Sequence, residues 1–219
     1  EEGRKHVLGL WQGATENTEV VSALLEDLVE RGLSPSKNYL FVLDGAKALR
    51  KAVKKVFGEE GEIQRCQLHK RRNVKSYLPP EHQEIVDRRL RAAYAMADYH
   101  EAKHSLELTI RYLKRLNPSA ARSLEEGLEE TLALHRLGVP DLLRKSLSST
   151  NLIESPFSTS KDLSRRVKRW RNGEQVQRWA AASLLEAERR FRRINGYRYL
   201  PVLDAVLNRG EVEKERSIA

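Results

Sequence analysis

The strongest constraint on the fold is the run Tyr39–Leu43, in which five consecutive residues are apolar or aromatic. A short run of this kind is typical of a β-strand that is buried on both faces. Apolar residues recur at helical spacing on either side of it, over 18–31 and 45–57, and further strands are expected at His6–Trp11 and Glu62–Cys66. Strands that alternate with helices at this spacing predict an α/β fold with parallel strand pairing.

The middle of the chain has a different character, because every pattern over 79–147 is helical. Asp98 is expected to cap a helix over 99–116, and Asn117 is expected to cap the next helix, which would continue to Leu132. These patterns divide the chain into a first core segment, an all-helical insertion, a basic helical segment that completes the core and a C-terminal tail: 1–78, 79–147, 148–200 and 201–219.

The net charge of +9 is concentrated in one part of the chain. Residues 161–198, where a helix over 174–193 is expected, carry twelve basic residues and four acids, a net charge of +8. A second basic cluster lies within 65–75 and contains no acid. Forked guanidinium groups suit phosphate oxygens, so a polyanion, most simply nucleic acid, is favoured as the partner. The alternative is a solvated basic helix face on an ordinary basic protein.

Several classes of protein are disfavoured by features that the sequence lacks. No run approaches the ~18 apolar residues of a membrane span, and residues 1–5 do not resemble a signal peptide. Cys66 is the only cysteine in the sequence, which excludes an intramolecular disulfide and suits a reducing compartment. We therefore expect a cytoplasmic protein that has no membrane partner.

Asp44 is the first candidate for chemistry, because it directly follows the run Tyr39–Leu43 and precedes Gly45. In open α/β sheets, catalytic and ligand-binding groups are presented at the carboxyl ends of strands. An N-cap of the helix over 45–57 explains the same residue equally well. Both interpretations stay open on the sequence alone.

Glu154 is the second candidate. It could close a capping box in which Asn151 is the N-cap. Pro156 argues against that helix start, because a proline beyond the first turn removes a helical hydrogen bond. Ser155 as the N-cap, with Pro156 at the first helical position, fits better and leaves Glu154 free just before the helix.

Cys66 and His69 have the spacing of zinc ligands, but a structural zinc needs four ligands and the chain has no second cysteine pair. His100 and His104 lie four residues apart without the glutamate of a known zinc signature. No zinc is therefore expected. Cys66 and His69 are instead predicted to pack and to form hydrogen bonds at the end of a strand.

The two tryptophans of the basic segment have different expected roles. Trp179 follows the apolar spacing of the helix over 174–193 and is expected in the core. Trp170 lies between Arg169 and Arg171, which makes burial less favourable and stacking on a nucleic-acid base a candidate role.

Three motifs follow one another along the chain: Asp44-Gly45 after a buried strand, Cys66-x-x-His69-x-x-Arg72-Asn73, and, after a helical segment, Ser149-Thr150-Asn151-x-Ile153-Glu154-Ser155. In this combination and order the chain resembles the Mutator-type transposases of bacterial insertion sequences. The resemblance extends over nearly the whole chain.

The resemblance implies a partial RNase-H-like core whose first strand is missing, with the all-α insertion between the second and third acids of a DDE triad. Asp44 matches the second acid and Glu154 the third, and both would bind Mg²⁺ or Mn²⁺ in a two-metal site. The implied activity is metal-dependent cleavage and transfer of DNA strands, with transposon ends and target DNA as partners. Two further sets of residues belong to this interpretation: the family motifs Cys66, His69, Arg72, Asn73, Thr150 and Asn151, and the DNA contacts Lys70, Arg71, Arg165, Arg166, Lys168, Arg169 and Arg171.

The family's first acid lies on a strand before the one expected at His6–Trp11, and no residue of this sequence matches it. We therefore expect the C-terminal part of a longer transposase, which does not cut DNA by itself. A catalytically inactive DNA-binding remnant is the alternative, and an unrelated α/β scaffold with a basic face is a third. A homo-oligomer is compatible with each of them.

Overall fold

The structure is a computed structural model that describes residues 2–13, 15, 17–58, 61–165 and 167–208. Its elements are, in chain order, α1 (Thr18–Glu30), β1 (Tyr39–Leu43), α2 (Lys47–Phe57), β2 (Gly61–Arg65), α3 (Gln67–Ser76), α4 (Pro80–Ala95), α5 (Tyr99–Leu116), α6 (Pro118–Glu125), α7 (Leu128–Thr131), α8 (Ala133–Arg136), α9 (Asp141–Leu147), α10 (Asn151–Ser164), α11 (Gly173–Glu188), a 3₁₀ turn (Tyr197–Tyr199) and α12 (Leu200–Leu207). The described part is mostly helical, with a small sheet of two strands, so helices and strands are mixed as the sequence predicts.

The strands β1 and β2 pair in parallel, from Tyr39 opposite Gly61 to Leu43 opposite Arg65. Helix α2 connects them, because parallel neighbours need a crossover connection and not a tight turn. The predicted parallel pairing is therefore confirmed. Both strands end at the same edge of the sheet, where Asp44 follows β1.

Strand β1 is packed on both of its faces, as its apolar run predicts. Phe41 packs against Phe57 of α2, and their ring centroids are 4.9 Å apart. Leu40 and Val42 face the other way, into a second core that contains Leu203 of α12. Because side chains alternate along a strand, β1 lies between these two cores.

Residues 6–11 form no strand, which corrects the strand expected there. The Leu8 carbonyl accepts a hydrogen bond from the Arg31 guanidinium, and the Val7 amide donates to the Glu188 carboxylate. Side chains thus satisfy backbone groups that a neighbouring strand would otherwise pair. The apolar pattern of a segment does not show whether a second strand lies beside it. The described sheet is smaller than an RNase-H-like core, which stays a prediction.

The helical insertion has a core of its own, to which helices from α3 to α6 contribute. Asp98 caps α5 as predicted, because its carboxylate accepts a first-turn amide at 2.9 Å. Asn117 caps the next helix, but that helix does not continue to Leu132 as expected. The chain turns at Gly127, where φ is 65° and a β-carbon would lie 2.5 Å from the Arg65 guanidinium.

The C-terminal part differs from its prediction at two points. Helix α11 ends at Glu188 and not at residue 193. The segment expected to be a tail from residue 201 begins with α12, whose Leu203 is 7% exposed. This helix is too short for its apolar spacing to stand out in the sequence. Residues 209–219 lie outside the described residues, and within the described ranges no helix is long and apolar enough to cross a bilayer.

Candidate active site

Asp44 lies at the carboxyl edge of the sheet, directly after β1. Its Oδ1 accepts a hydrogen bond from the amide of Ala46 at 2.9 Å. Helix α2 starts at Lys47, and Ala46 occupies the N-cap position without a side-chain bond. Asp44 is therefore not the N-cap of this helix, and its Oδ2 bonds to no residue in the described part of the chain.

The turn after Asp44 is shaped by Gly45 and Arg65. Gly45 has a φ of 105°, and a β-carbon at this position would overlap the Arg65 guanidinium. Arg65 is buried, and its Nη1 donates to the carbonyl of Glu126 at 3.0 Å. The arginine thus ties the loop that carries Asp44 to the helical insertion. The sequence does not single out Arg65 for this role. Gly45, directly after a buried strand, does indicate that another group approaches the backbone closely there.

Cys66 and His69 lie at the end of β2 and in the first turn of α3. The Cys66 amide donates to the Leu43 carbonyl at 2.6 Å, which joins the end of β2 to the end of β1. The Cys66 Sγ accepts the His69 amide at 3.5 Å and lies 3.3 Å from His69 Nδ1. The prediction that both residues pack and form hydrogen bonds at a strand end is confirmed.

The motif that begins at Cys66 and the motif that contains Thr150 are in contact, although 84 residues separate Thr150 from Cys66. The Thr150 amide donates to Cys66 Sγ at 3.4 Å. Its Oγ1 lies 3.2 Å from His69 Nδ1 and donates to Glu154 Oε1 at 2.6 Å. We call this arrangement of Cys66, His69, Thr150 and Glu154 the Thr150 cluster. Among the described residues, no three His, Cys, Asp or Glu side chains are grouped so as to hold a metal ion.

Glu154 lies in the first turn of α10, which begins at Asn151. Thr150 occupies the N-cap position, so neither Asn151 nor Ser155 has that role and both predicted helix starts are wrong. Pro156 lies inside the helix, where it is buried. Helix α10 packs against α11, and this tertiary packing outweighs the local preference of Pro156 for the first turn of a helix. The Glu154 side chain is 42% exposed.

A series of contacts connects Asp44, at the carboxyl edge of the sheet, with Glu154 of α10. Asp44 follows Leu43, whose carbonyl accepts the Cys66 amide. The Cys66 thiol contacts Thr150, which in turn donates to Glu154. Within the described ranges, the two carboxylates share neither a hydrogen bond nor a cationic side chain. Among the described residues, Asp44 Oδ2 and Glu154 Oε2 have no hydrogen-bond or ion-pair partner.

Two of the predicted DNA contacts bond to other residues of the protein. Lys70 is buried, which corrects its assignment, whereas Arg71 is partly exposed and its DNA contact stays a prediction. Lys70 is 1% exposed, and its ammonium group donates to two backbone carbonyls of the insertion. Burial, together with the nearby charge of Arg65, lowers the pKa of Lys70 to about 8. Arg71 donates to both carboxylate oxygens of Asp87, at 2.9 and 2.8 Å. Both cations stabilise the junction between α3 and the insertion.

The remaining predicted DNA contacts that the structure describes are exposed. Four of them lie at the end of α10 and in the segment before α11, and none forms an ion pair with another described residue. Arg166, predicted together with them, lies outside the described residues. We call the four residues the basic loop surface: Arg165, Lys168, Arg169 and Arg171.

A pair of tryptophans lies beside the basic loop surface. Trp170 and Trp179 are 39% and 43% exposed, and their ring centroids are 6.5 Å apart in an edge-to-face arrangement. The expectation that Trp179 belongs to the core is therefore wrong. Its apolar spacing on α11 marked a helix face that no other element covers fully. Exposed indole faces next to cations suit stacking on bases, which stays a prediction.

Comparisons with known proteins agree on one family. The model of a family described as transposase, Mutator family, matches residues 1–193. The transposase for insertion sequence element IST2 of Acidithiobacillus ferrooxidans is 29% identical over 76% of this chain and 55% of its own length. The transposase for insertion sequence element IS6120 of Mycolicibacterium smegmatis is 28% identical over 72% of this chain and 47% of its own length. The chain thus spans about half the length of these curated relatives.

Proposed function

Because this chain belongs to the Mutator family of transposases, we propose that it forms the catalytic region of a DDE transposase with an RNase-H-like core, in which Asp44 and Glu154 act in DNA strand cleavage and transfer. The observation that supports this proposal best is the Thr150 cluster, which ties Glu154 to the sheet edge that carries Asp44. Acids far apart in sequence act together only where a fold joins strand ends to a helix start, and this edge is such a position.

The two carboxylates fit the divalent cation that the family implies. Mg²⁺ and Mn²⁺ prefer oxygen ligands, and within the described ranges Asp44 Oδ2 and Glu154 Oε2 have no partner. Asp44 and Glu154 would hold the cation, which when bound stabilises the attacking and leaving oxygens of phosphodiester transfer. The first acid of the triad has no match in the three sequence motifs.

The proposed substrate is DNA, and the proposed contact is the basic loop surface. Its four cations are exposed and have no ion-pair partner among the residues described. Exposed Arg and Lys side chains that neutralise phosphates release counterions, which supplies affinity without sequence preference. The Trp170 indole beside them adds a surface on which an unpaired base could stack.

The proposal is tested by a strand-cleavage and strand-transfer assay with Mn²⁺ on a longer reading frame that includes these residues. Asp44→Asn and Glu154→Gln should each abolish cleavage, because an amide is a poor ligand for a hard cation. Glu101→Gln is the matched control, since Glu101 also lies in the first turn of a helix, α5, and should leave cleavage unchanged. Cleavage that persists in Glu154→Gln would contradict the assignment.

The same assay on residues 1–219 separates the alternatives. We expect this chain to bind DNA without cutting it, because two carboxylates leave the coordination of the cations incomplete. Cleavage by residues 1–219 that Glu154→Gln abolishes would mean that all the required acids lie within this chain. If neither the longer protein nor residues 1–219 cuts DNA, the chain is the catalytically inactive DNA-binding remnant that the sequence left as the alternative.

A further inference from the structure

We infer that Thr150 is a positioning residue for Glu154, and that Cys66 and His69 hold Thr150 in place. The Cys-x-x-His motif then has a role that is neither zinc binding nor catalysis, because it holds Thr150, and Thr150 holds the Glu154 carboxylate. The inference rests on the proposed function of Glu154. It is carried by the hydrogen bonds of the Thr150 cluster.

The direction of each hydrogen bond follows from the single proton of the Thr150 hydroxyl. Three polar atoms lie near Oγ1: Glu154 Oε1 at 2.6 Å, His69 Nδ1 at 3.2 Å and Cys66 Sγ at 3.5 Å. The shortest is in the range of a charge-assisted O–H···O⁻ bond, which is about twice as strong as a neutral one. The hydroxyl therefore donates to Glu154.

This direction determines the tautomer of His69. Since the Thr150 proton points to Glu154, the 3.2 Å contact between His69 Nδ1 and Thr150 Oγ1 is a hydrogen bond only if Nδ1 carries a proton and donates. His69 then carries a proton on Nδ1. The cluster forms a directed series of hydrogen bonds from His69 through Thr150 to Glu154.

Thr150 is itself held by the end of the sheet. Cys66 is fully buried, and its amide is bonded to the Leu43 carbonyl at the end of β1. The Thr150 amide donates to the Cys66 thiol at 3.4 Å, and Thr150 is 7% exposed. The hydroxyl that reaches Glu154 is therefore fixed relative to the strand that precedes Asp44. A three-residue spacing places Cys66 and His69 on the same side of the first turn of α3, where both contact Thr150.

A fixed hydroxyl matters because a half-exposed glutamate is otherwise free to adopt many rotamers. Ordering such a side chain costs conformational entropy, which a metal ligand bears on binding. One oxygen held by Thr150 leaves the other available to a cation. Hydrogen-bond partners of metal ligands typically change metal affinity about 10–100-fold when they are removed.

The test compares the Mn²⁺ affinity of Thr150→Val and Thr150→Ser in residues 1–219 by isothermal titration calorimetry. Valine keeps the shape of threonine without its hydroxyl, so Mn²⁺ binding should weaken about tenfold, at the lower end for such partners. Serine keeps the hydroxyl, so the loss should be less than about twofold. Thr109→Val is the matched control, because the Thr109 hydroxyl is buried and donates to the Ser105 carbonyl in α5, and its Mn²⁺ affinity should equal that of the parent.

Glu154→Gln separates this inference from the proposed function. Mn²⁺ affinity that Glu154→Gln leaves unchanged would overturn the proposed role of Glu154 itself. If Glu154→Gln abolishes binding but Thr150→Val binds as the parent does, only the positioning role is overturned. Equal losses in Thr150→Val and Thr150→Ser would also overturn it, because serine supplies the same donor.

A measurement on the parent protein keeps the inference testable if Thr150→Val fails to fold. The ¹⁵N chemical shifts of the two His69 ring nitrogens report which of them carries the proton. We expect the Nδ1–H tautomer. The Nε2–H tautomer would overturn the hydrogen-bond directions on which the role of Thr150 depends.

Discussion

Removal of the positive charges of the basic loop surface should flatten the salt dependence of DNA binding. The perturbation is the combined substitution of its four residues by alanine: Arg165, Lys168, Arg169 and Arg171. All four are exposed and none has an ion-pair partner in the described ranges. Their substitution should therefore leave the fold intact, because surface residues without such contacts change stability by less than about 0.5 kcal/mol.

The size of the effect follows from the number of phosphates that these cations neutralise. Each phosphate contact adds about 0.9 to the slope of log K against log salt concentration on duplex DNA. Four contacts would contribute about 3.6 to this slope. Between about 50 and 200 mM salt, the affinity of the parent protein should then fall about 150-fold more than the affinity of the alanine variant.

Fluorescence anisotropy with a labelled DNA duplex, at several salt concentrations, measures these slopes. The control removes four exposed arginines from the helical insertion, which changes the net charge by the same amount: Arg88, Arg111, Arg115 and Arg122. Its slope should stay within about one unit of the parent slope. If the loop variant keeps the parent slope, or if the control lowers it equally, the basic loop surface is not the DNA contact.

Three further predictions concern stability and metal content. Burial lowers the pKa of Lys70 from 10.5 to about 8, so the unfolded chain binds this proton more strongly than the folded chain does. The unfolding free energy of the parent should therefore rise by about 2.5 kcal/mol relative to that of Lys70→Met when the pH is raised from 7 to 10, as measured by urea titrations. No gain would contradict the burial of a charged Lys70. Gly196→Ala should lower the unfolding free energy by about 2 kcal/mol more than Gly138→Ala does. Both glycines have a positive φ, but only a β-carbon at Gly196 would meet backbone, 2.5 Å from the Leu143 nitrogen. Equal losses in the two variants would contradict this packing. Elemental analysis of the purified protein should find less than one equivalent of zinc, whereas stoichiometric zinc would show that Cys66 is a metal ligand.

The elements that the sequence predicts correctly are those whose signals are local. Strand β1 has the predicted bounds, Tyr39–Leu43, because a continuous apolar run between turns has few other ways to be buried. Asp98 caps α5 as expected, because an N-cap bonds within its own first turn. The strand expected at His6–Trp11 is wrong because strand formation depends on a partner from elsewhere in the chain.

The sequence proposes residues for the candidate site but does not predict the contacts between them. Asp44 and Glu154 stood out because each lies next to the end or start of an element. The bond from Thr150 to Glu154 is local, but the position of Thr150 depends on a thiol 84 residues away, which no spacing reveals. Lys70 was predicted to contact DNA because it lies in a run of basic residues. It is buried because the insertion packs over α3.

A double-substitution cycle on Mn²⁺ affinity tests whether Asp44 and Glu154 bind one divalent cation. Calorimetry would compare Asp44→Asn, Glu154→Gln and the double variant in residues 1–219, with thermal unfolding as a check that each chain folds. If both acids hold the same cation, their effects are strongly coupled, so each single substitution should remove most of the binding and the double substitution should add little. Two single variants that both bind Mn²⁺ as tightly as the parent would contradict the proposal that both acids hold one cation.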